Sequence, residues 1–105
     1  MSDIELEPVM VTMTFHTDDA AELTSVLAKY VVLSRTHPGS RNIDLVSSVT
    51  TPGRLVIVEK WDSTEAQQEH FDSDHMVEMA KSCEGLLNRP PEIDLYEGIS
   101  MHDLA

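Results

Sequence analysis

The chain has 105 residues and one cysteine, and 41% of its residues are hydrophobic while 25% are charged. This length suits one domain with its own core, and the composition excludes an intrinsically disordered or collagen-like chain. The 7 basic and 19 acidic residues give a net charge of −12, which disfavours nucleic acid and anionic membranes as partners because proteins bind both through Lys and Arg.

The cellular location is predicted from the cysteine count and from the apolar runs. A single cysteine, Cys83, excludes a disulfide within the chain and favours a reducing compartment. The N-terminus carries acidic side chains where a signal peptide would carry basic ones. No run approaches the roughly 20 apolar residues of a membrane helix. We therefore expect a cytoplasmic protein.

The first predicted strand follows a polar arm. Residues 1–8 form this arm, and the segment VMVTMTFH, residues 9–16, then alternates between two faces. Alternation with a period of two is typical of a β-strand. One face carries the apolar residues Val9, Val11, Met13 and Phe15.

The first predicted helix lies in the segment 17–36. Thr17 or Asp18 can cap it, and acidic residues fill its first turn. The sequence HPGS ends the helix, because Pro38 and Gly39 interrupt helical structure. Its apolar residues recur at helical spacing at Leu23, Val26, Leu27, Tyr30 and Leu33.

Two strands and a broken helix are predicted next. RNIDLVSSV, residues 41–49, and LVIVEKW, residues 55–61, are predicted strands joined by the turn TTPGR. Asp62 or Ser63 caps the helix that follows, and the sequence DSD at 72–74 offers a second cap. We therefore expect a break there. The apolar stripe of the segment after the break comprises Met76, Met79, Ala80, Cys83, Leu86 and Leu87.

A fourth strand at 92–100 completes the order β-α-β-β-α-β. This order predicts one α+β, ferredoxin-like domain over residues 9–100, with a four-stranded antiparallel sheet, both helices on one face, and a tail at 101–105. The third strand is apolar on both faces, but the helices cover only one. We predict that a second copy of the chain covers the other face, so that the protein is a homodimer.

Residue spacing disfavours three kinds of site. His70 and His75 are five residues apart, which turns the second side chain about 140° from the first in a regular helix, so no metal site is predicted. No glycine-rich loop leads from a strand into a helix, which disfavours a bound nucleotide. Cys83 falls on an apolar stripe and is expected to be a small buried hydrophobe rather than a reactive thiol.

Three further histidines lie outside the segment that contains His70 and His75. Surface positions are expected for His16, His37 and His102.

Glu59, Trp61 and His70 are the candidates for acid–base chemistry, and each has a structural alternative. Glu59 shares a strand face with Trp61, where burial would raise the carboxyl pKa and create a base; alternatively, it lies in water at the open end of the sheet. Trp61 is either a pocket wall or a core aromatic. His70 can accept a proton near neutral pH, or else it is a capping histidine that bonds a backbone carbonyl.

These residues resemble a known family. The segment EKWDSTEAQQEHFDSDHM resembles the antibiotic biosynthesis monooxygenase domain, whose signature has a strand ending in Glu-x-Trp, a capping Ser with an acidic residue, and two histidines around a helix break. HPGSRNIDLV resembles the entry into the family's second strand, with Ser40 in place of the usual Cys. The signature positions in this chain are Glu59, Trp61, Ser63, Glu65, His70, Ser73, His75 and Met76.

The resemblance implies a dimeric α+β barrel with a pocket between sheet and helices in each subunit. It also implies a monooxygenase without metal, flavin or other cofactor, which oxidises a quinol or hydroxylated aromatic substrate with O2. The protein removes a phenolic proton, and the anion passes an electron to O2. Catalysis is assigned to His70, as base or orienting group, with Trp61 and Glu59; substrate binding is assigned to Met76, Met79, Tyr30 and His75.

Other activities occur on this scaffold, since a shared fold does not determine chemistry. Haem-degrading relatives carry an Asn, a Trp and a haem-binding His at the positions of Val11, His70 and Ala80 in this chain, so the resemblance does not extend to haem degradation. Two alternatives stay open. One is an isomerase of a small keto-sugar phosphate, and the other is a non-catalytic small-molecule-binding or stress-response module.

Overall fold

The computed structural model describes residues 8–101. Apart from Pro8 and Met101, the predicted arm and tail lie outside the described residues, and so does His102. Among residues 8–101, no helix is long and apolar enough to cross a membrane. In chain order the elements are β1 (Val9–His16), α1 (Ala20–Ser34), β2 (Ser40–Ser47), β3 (Arg54–Trp61), α2 (Thr64–Phe71), α3 (Asp74–Ser82) and β4 (Glu92–Glu97).

The four strands form one antiparallel sheet in the order β2-β3-β1-β4. With the helices on one face, this confirms the predicted ferredoxin-like α+β fold. Strand ends differ from the prediction by a few residues, most at β4, which stops at Glu97. In register, Val11 of β1 pairs with Glu59 on β3 and Leu95 on β4, which places these three side chains on the same face.

Helix α1 has a different cap from the two predicted. Asp19, and not Thr17 or Asp18, accepts a hydrogen bond from the amide of Glu22 at 3.1 Å. The Thr17 hydroxyl instead donates to the carbonyl of Leu86 at 2.6 Å and accepts from the amide of Asp19. The prediction was wrong because this competing partner lies 69 residues away along the chain.

The predicted break between two helical segments is present between α2 and α3. Ser63, one of the two predicted caps, accepts a hydrogen bond from the amide of Ala66 at 3.1 Å. Helix α3 ends at Ser82, so the last three residues of the predicted apolar stripe, Cys83, Leu86 and Leu87, follow the helix instead of lying on it. Gly85 has φ of 81°, a conformation that favours glycine and is typical of helix ends.

The turn between α1 and β2 packs closely on α2. Gly39 in this turn has a positive φ, and a β-carbon built there would lie 2.5 Å from the Cβ of Ala66, so only glycine fits. The Gly39 carbonyl also accepts a hydrogen bond from the amide of Asp62 at 2.8 Å. This packing holds His37, in the same turn, beside Trp61, with 6.5 Å between the ring centroids.

The helices leave one part of the inner, helix-facing side of the sheet open. Ile93 and Leu95 of β4 pair with the buried Met13 and Val11 of β1, yet they are 43% and 54% exposed. An apolar strip therefore remains accessible along the β4 edge of the inner face.

The outer face of the sheet, which points away from the helices, is also partly apolar. It carries Val56 and Val58 on β3, both half-buried, together with the exposed Val46 on β2 and Tyr96 on β4. A second copy of the chain would bury these side chains. The homodimer stays a prediction.

Candidate active site: a buried polar cluster and an apolar cavity

Glu59 is the centre of a cluster of polar side chains inside the protein. Since side chains alternate along a strand, Glu59 and Trp61 of β3 point to the same, helix-covered face. Glu59 is 2% exposed, and its two oxygens accept hydrogen bonds from the Trp61 indole N–H at 2.9 Å and from the Tyr30 hydroxyl at 2.8 Å. Of the two alternatives for Glu59, the structure therefore has the buried carboxylate.

His70 of α2 packs on the same cluster. Its ring stacks on Trp61 with 4.6 Å between the ring centroids, and the residue is 2% exposed. Its Nε2 atom lies 2.7 Å from the Tyr30 hydroxyl oxygen and 3.5 Å from that of Ser34. Within residues 8–101, the His70 ring thus bonds to side chains of α1 and not to a backbone carbonyl.

The positions of the protons in this cluster follow from the chemistry of its members. Tyr30 has one hydroxyl proton, and an ionised Glu59 is its strongest acceptor, so we assign the proton to that bond. His70 then donates through Nε2–H to the Tyr30 oxygen, and its Nδ1 carries the lone pair. No residue between 8 and 101 bonds to this Nδ1 or to that of His75, although both atoms are buried.

Burial displaces the pKa of each titratable group in the cluster. It raises the pKa of Glu59 against the opposing effect of its two hydrogen-bond donors, and it raises the pKa of Tyr30, to which the Glu59 charge adds. It lowers the pKa of His70 to about 4, with further lowering by His37 and His75. At neutral pH, His70 is therefore uncharged, Tyr30 keeps its proton, and Glu59 binds a proton more readily than a solvated carboxylate.

Three histidines lie in contact at one end of the cluster. The ring centroid of His37 is 4.7 Å from that of His70 and 5.2 Å from that of His75, with edge-to-face geometry. The surface position predicted for His37 is wrong, because the turn that carries it packs on α2 and leaves it half-buried. His16 is also half-buried, with Nε2 3.4 Å from an oxygen of Glu92. The described residues contain no group of three or more His, Cys, Asp or Glu side chains that could hold a metal ion.

An apolar cavity of about 630 Å³ lies between α3 and the open edge of the inner sheet face. This volume is in the range of small-molecule binding sites. Two of the predicted substrate-binding residues, Met76 and Met79, are on its wall. The residues that line it are Phe15, Phe71, Met76, Val77, Met79, Ala80, Cys83, Glu84, Gly85, Leu87, Arg89, Pro90, Pro91 and Ile93.

Met76 connects this cavity with the polar cluster. Its Sδ atom lies 3.2 Å from the Tyr30 hydroxyl, and the residue also lines the cavity. None of the three predicted catalytic residues is on the cavity wall. The remaining predicted substrate-binding residues, Tyr30 and His75, line a smaller cavity of about 160 Å³ between α1 and α3. The Met76 thioether therefore contacts both the Tyr30 hydroxyl of the cluster and the larger space for a ligand.

Three cavity residues illustrate what the sequence did and did not indicate. Cys83 is a buried thiol whose pKa is raised by burial, in agreement with its expected role as a small hydrophobe. Phe71 was not singled out; it is 40% exposed in the fold, and a single apolar residue before a helix break does not differ in sequence from an ordinary surface residue. Arg89 lies in an irregular segment, and no periodic pattern in the sequence indicates that this segment lies beside α3.

Known proteins share this fold. The sequence profile of the antibiotic biosynthesis monooxygenase family matches residues 9–82, which extend from the start of β1 to the end of α3. No curated protein sequence shows a significant match. The matched segment contains Tyr30, Glu59, Trp61 and His70 of the polar cluster and both methionines of the cavity wall.

Solved structures superpose on nearly the whole chain. Rv0793 from Mycobacterium tuberculosis has 29% identity and a TM-score of 0.81, with 90% of this chain and 97% of that chain covered. PA3566 from Pseudomonas aeruginosa has 22% identity and a TM-score of 0.79, with 90% and 96% covered. SnoaB, a cofactor-independent oxygenase from Streptomyces nogalater, has 18% identity and a TM-score of 0.80, with 90% and 96% covered. The similarities to PA3566 and SnoaB establish the fold of this chain.

Proposed function

Because the chain belongs to the antibiotic biosynthesis monooxygenase family, we propose that it oxidises a hydroxylated aromatic substrate, such as a quinol, with O2 and without metal or flavin. The observation that carries this proposal is the contact of an apolar cavity of about 630 Å³ with the buried Glu59–Tyr30–His70 cluster through one side chain, Met76. The walls suit a flat aromatic ligand, and the cluster contains groups that can move a proton.

The proposed reaction needs the substrate, O2 and one proton acceptor. With 1-naphthol, one O2 is consumed, and the products are 1,4-naphthoquinone and one water. Loss of the hydroxyl proton gives a phenolate, which passes one electron to O2. The two resulting radicals combine at the ring carbon para to the oxygen, and the peroxide takes up the proton and loses water. One oxygen atom of O2 is thus in the quinone and the other in water.

Glu59 is the proton acceptor, and it acts through Tyr30. The Tyr30 oxygen takes the substrate proton while the Tyr30 proton passes to Glu59, 2.8 Å away. Because burial raises the pKa of Glu59, it is a stronger base than a solvated carboxylate. The raised pKa of Tyr30 prevents it from remaining a phenolate. Glu59 returns the proton by the same route when the peroxide forms.

His70 is the orienting group rather than the base. Its pKa of about 4 makes it a weak acceptor at neutral pH, and its Nε2 is already engaged with Tyr30 at 2.7 Å. By donating to the Tyr30 oxygen, His70 directs the Tyr30 proton towards Glu59. Trp61 holds the other carboxylate oxygen in place. Of the two roles predicted for His70, these contacts support the second.

Met76 has to move before a substrate hydroxyl can reach Tyr30. A methionine side chain is unbranched and has three rotatable bonds, so it adapts readily to a new neighbour. Rotation of Met76 would replace its contact of 3.2 Å with the Tyr30 hydroxyl by a hydrogen bond from the substrate. A bound substrate would displace water from the apolar wall, which would strengthen the charge interactions around the phenolate.

The assembly that we propose is a homodimer joined through the outer sheet face. The apolar side chains of Val46, Val56 and Val58 support it, because two copies would cover them at once. Sedimentation equilibrium at micromolar concentration should give twice the chain mass of 11.7 kDa. Val58→Lys should shift the protein towards monomer, and a wild-type protein that sediments as a monomer would contradict the dimer.

A second candidate function is small-molecule binding without turnover. It is supported by the closed state of the polar cluster, since both oxygens of Glu59 are already satisfied by Tyr30 and Trp61. A cluster that serves packing alone would have the same hydrogen bonds. The two functions therefore differ in oxygen consumption and not in ligand binding.

Oxygen uptake by chelator-treated protein distinguishes them. With 1-naphthol and a panel of quinols, the enzyme should consume O2 faster than autoxidation. With 1-naphthol, one O2 should be consumed per quinone formed, and one atom of ¹⁸O2 should be in the product. The variant His70→Ala should lose most of this rate while it retains its fold. Uptake that depends on added metal would contradict the proposal, and binding without uptake across the panel would favour the binding module.

A further inference from the structure

Among residues 8–101, the wall of the larger cavity is apolar except for two charged side chains, Glu84 and Arg89. Of the 7 basic residues in the chain, only Arg89 is on this wall. Among residues 8–101, no carboxylate lies within 4.0 Å of its guanidinium nitrogens. The guanidinium is therefore available to a ligand in the cavity.

The backbone that carries Arg89 is held on both sides. The Asn88 amide donates to the carbonyl of His16 at 2.8 Å, and the Asn88 side chain donates to a carboxylate oxygen of Asp18 at 3.1 Å. Two prolines follow Arg89 directly and restrict the backbone before β4 begins. Because its Cα is fixed in this way, less conformational entropy is lost when the side chain engages a ligand.

We propose that the cavity binds an aromatic acid, in which a carboxylate pairs with Arg89 and the hydroxylated ring lies against the apolar wall. This inference rests on the proposed function, since the ring hydroxyl is the group that would be oxidised. A guanidinium presents two parallel N–H donors that match a carboxylate, and Arg89 lies beside the apolar wall that would hold the ring. The carboxylate of Glu84 on the same wall repels an anion, so one orientation of the ligand is favoured.

The charge of the whole protein makes this preference easy to recognise. A net charge of −12 disfavours the approach of any anion. An acid that binds more tightly than its neutral ester must therefore owe the difference to a local cation. On this wall, the only cation is Arg89.

Calorimetric titration under nitrogen with 6-hydroxy-2-naphthoic acid and with its methyl ester tests the proposal. Wild-type protein should bind the acid about tenfold more tightly than the ester, which is the range of a hydrogen bond to a charged group. Arg89→Gln should abolish this preference and leave the affinity for the ester within about twofold. Lys81→Gln is the matched control, because it removes a positive charge from α3 outside the cavity wall and should keep the preference.

Three results would overturn the proposal: equal affinity of the wild type for acid and ester, equal losses in Arg89→Gln and Lys81→Gln, or no binding of either compound. Oxygen uptake is measured separately, so the two proposals can fail independently. A preference for the acid that depends on Arg89, without uptake, would retain this site and remove the monooxygenase. Oxygen uptake with neutral hydroxynaphthalenes, without a preference for acids, would retain the monooxygenase and remove the Arg89 site.

Discussion

The buried polar cluster and the apolar cavity lie side by side and differ in almost every respect. The cluster has titratable side chains, no room for a ligand and nearly complete internal hydrogen bonding. The cavity has a volume of about 630 Å³, enough for a ligand, and few polar groups among the described residues that line it. Each region lacks what the other supplies, and Met76 is the side chain that touches both. A reaction in this protein therefore requires the two regions to act together.

The largest expected effect concerns the hydrogen bonding inside the cluster. Glu59→Ala leaves the Trp61 and Tyr30 donors without an acceptor in a buried site and opens a void, so we expect a loss of about 4 kcal/mol in the free energy of unfolding. Urea denaturation followed by tryptophan fluorescence measures it. The control Glu97→Ala, at the exposed end of β4, should change stability little. A loss below about 1 kcal/mol for Glu59→Ala would mean that the carboxylate is not an essential acceptor.

The next effect is a dependence of stability on pH that arises from His70. Its pKa is about 4 in the folded protein and near 6.5 in the unfolded chain. Below pH 6.5 the unfolded state therefore takes up a proton that the folded state does not, so stability falls as the pH drops from 6.5 to 4 and is unaffected above that window. The full effect is roughly 3 kcal/mol.

The measurement compares urea denaturation of the wild type and His70→Gln at several pH values. Glu59 acts in the opposite direction, because its raised pKa lets the folded state take up a proton at higher pH than the unfolded chain. Subtracting the free energy of unfolding of His70→Gln from that of the wild type at each pH removes the contribution of Glu59. The wild type should lose its advantage over His70→Gln as the pH falls, whereas parallel curves would show that His70 titrates normally.

A smaller effect is expected from the hydroxyl that joins Glu59 and His70. Tyr30→Phe removes one donor to Glu59 and one acceptor of His70, and we expect a loss of about 1–2 kcal/mol in the free energy of unfolding. Tyr96→Phe removes a hydroxyl from the outer sheet face, away from the cluster and on the side that the proposed homodimer covers; it is the matched control and should cost less stability than Tyr30→Phe. Equal effects of the two substitutions would show that the Tyr30 hydroxyl has no special role in the cluster.

The smallest effect on stability should come from the cavity. Ala80 lies on its wall and is exposed, so Ala80→Phe should fill space and change the free energy of unfolding by less than about 0.5 kcal/mol. The same change should weaken binding of 1-naphthol about tenfold or more, because the ring occupies the ligand volume. Ala28→Phe on the exposed side of α1 controls for added hydrophobic surface. Unaltered binding in Ala80→Phe would place the ligand elsewhere.

The difference between the two regions also explains what could be predicted from the sequence. Strand alternation and helix-breaking residues are local features, so the order of elements, the helix break and the fold were predicted. Alternation places Glu59 and Trp61 on one strand face, which is why they were candidates, but it left open whether Glu59 is buried or lies in water. The contacts of His37 and the cap at Asp19 depend on partners distant along the chain, and these were missed.

The cavity could be anticipated only in part. Met76 and Met79 were recognised because they recur on one helix face, and both are on its wall. The volume itself arises because the helices stop short of β4, which leaves Ile93 and Leu95 accessible on the inner sheet face. The gap between the helices and β4 depends on how the helix layer is positioned on the sheet, and no local residue pattern indicates that position. Arg89 reaches the wall through the same placement.

The most direct test is oxygen uptake with saturating 1-naphthol, measured side by side for the wild type, Tyr30→Phe and Tyr96→Phe. If the cluster takes the substrate proton, Tyr30→Phe should bind naphthol normally and lose about 100-fold or more in kcat, while Tyr96→Phe keeps the wild-type rate. If Tyr30→Phe turns over at the wild-type rate, or if the wild type takes up no oxygen above autoxidation, the cluster is structural and Glu59 does not accept the substrate proton.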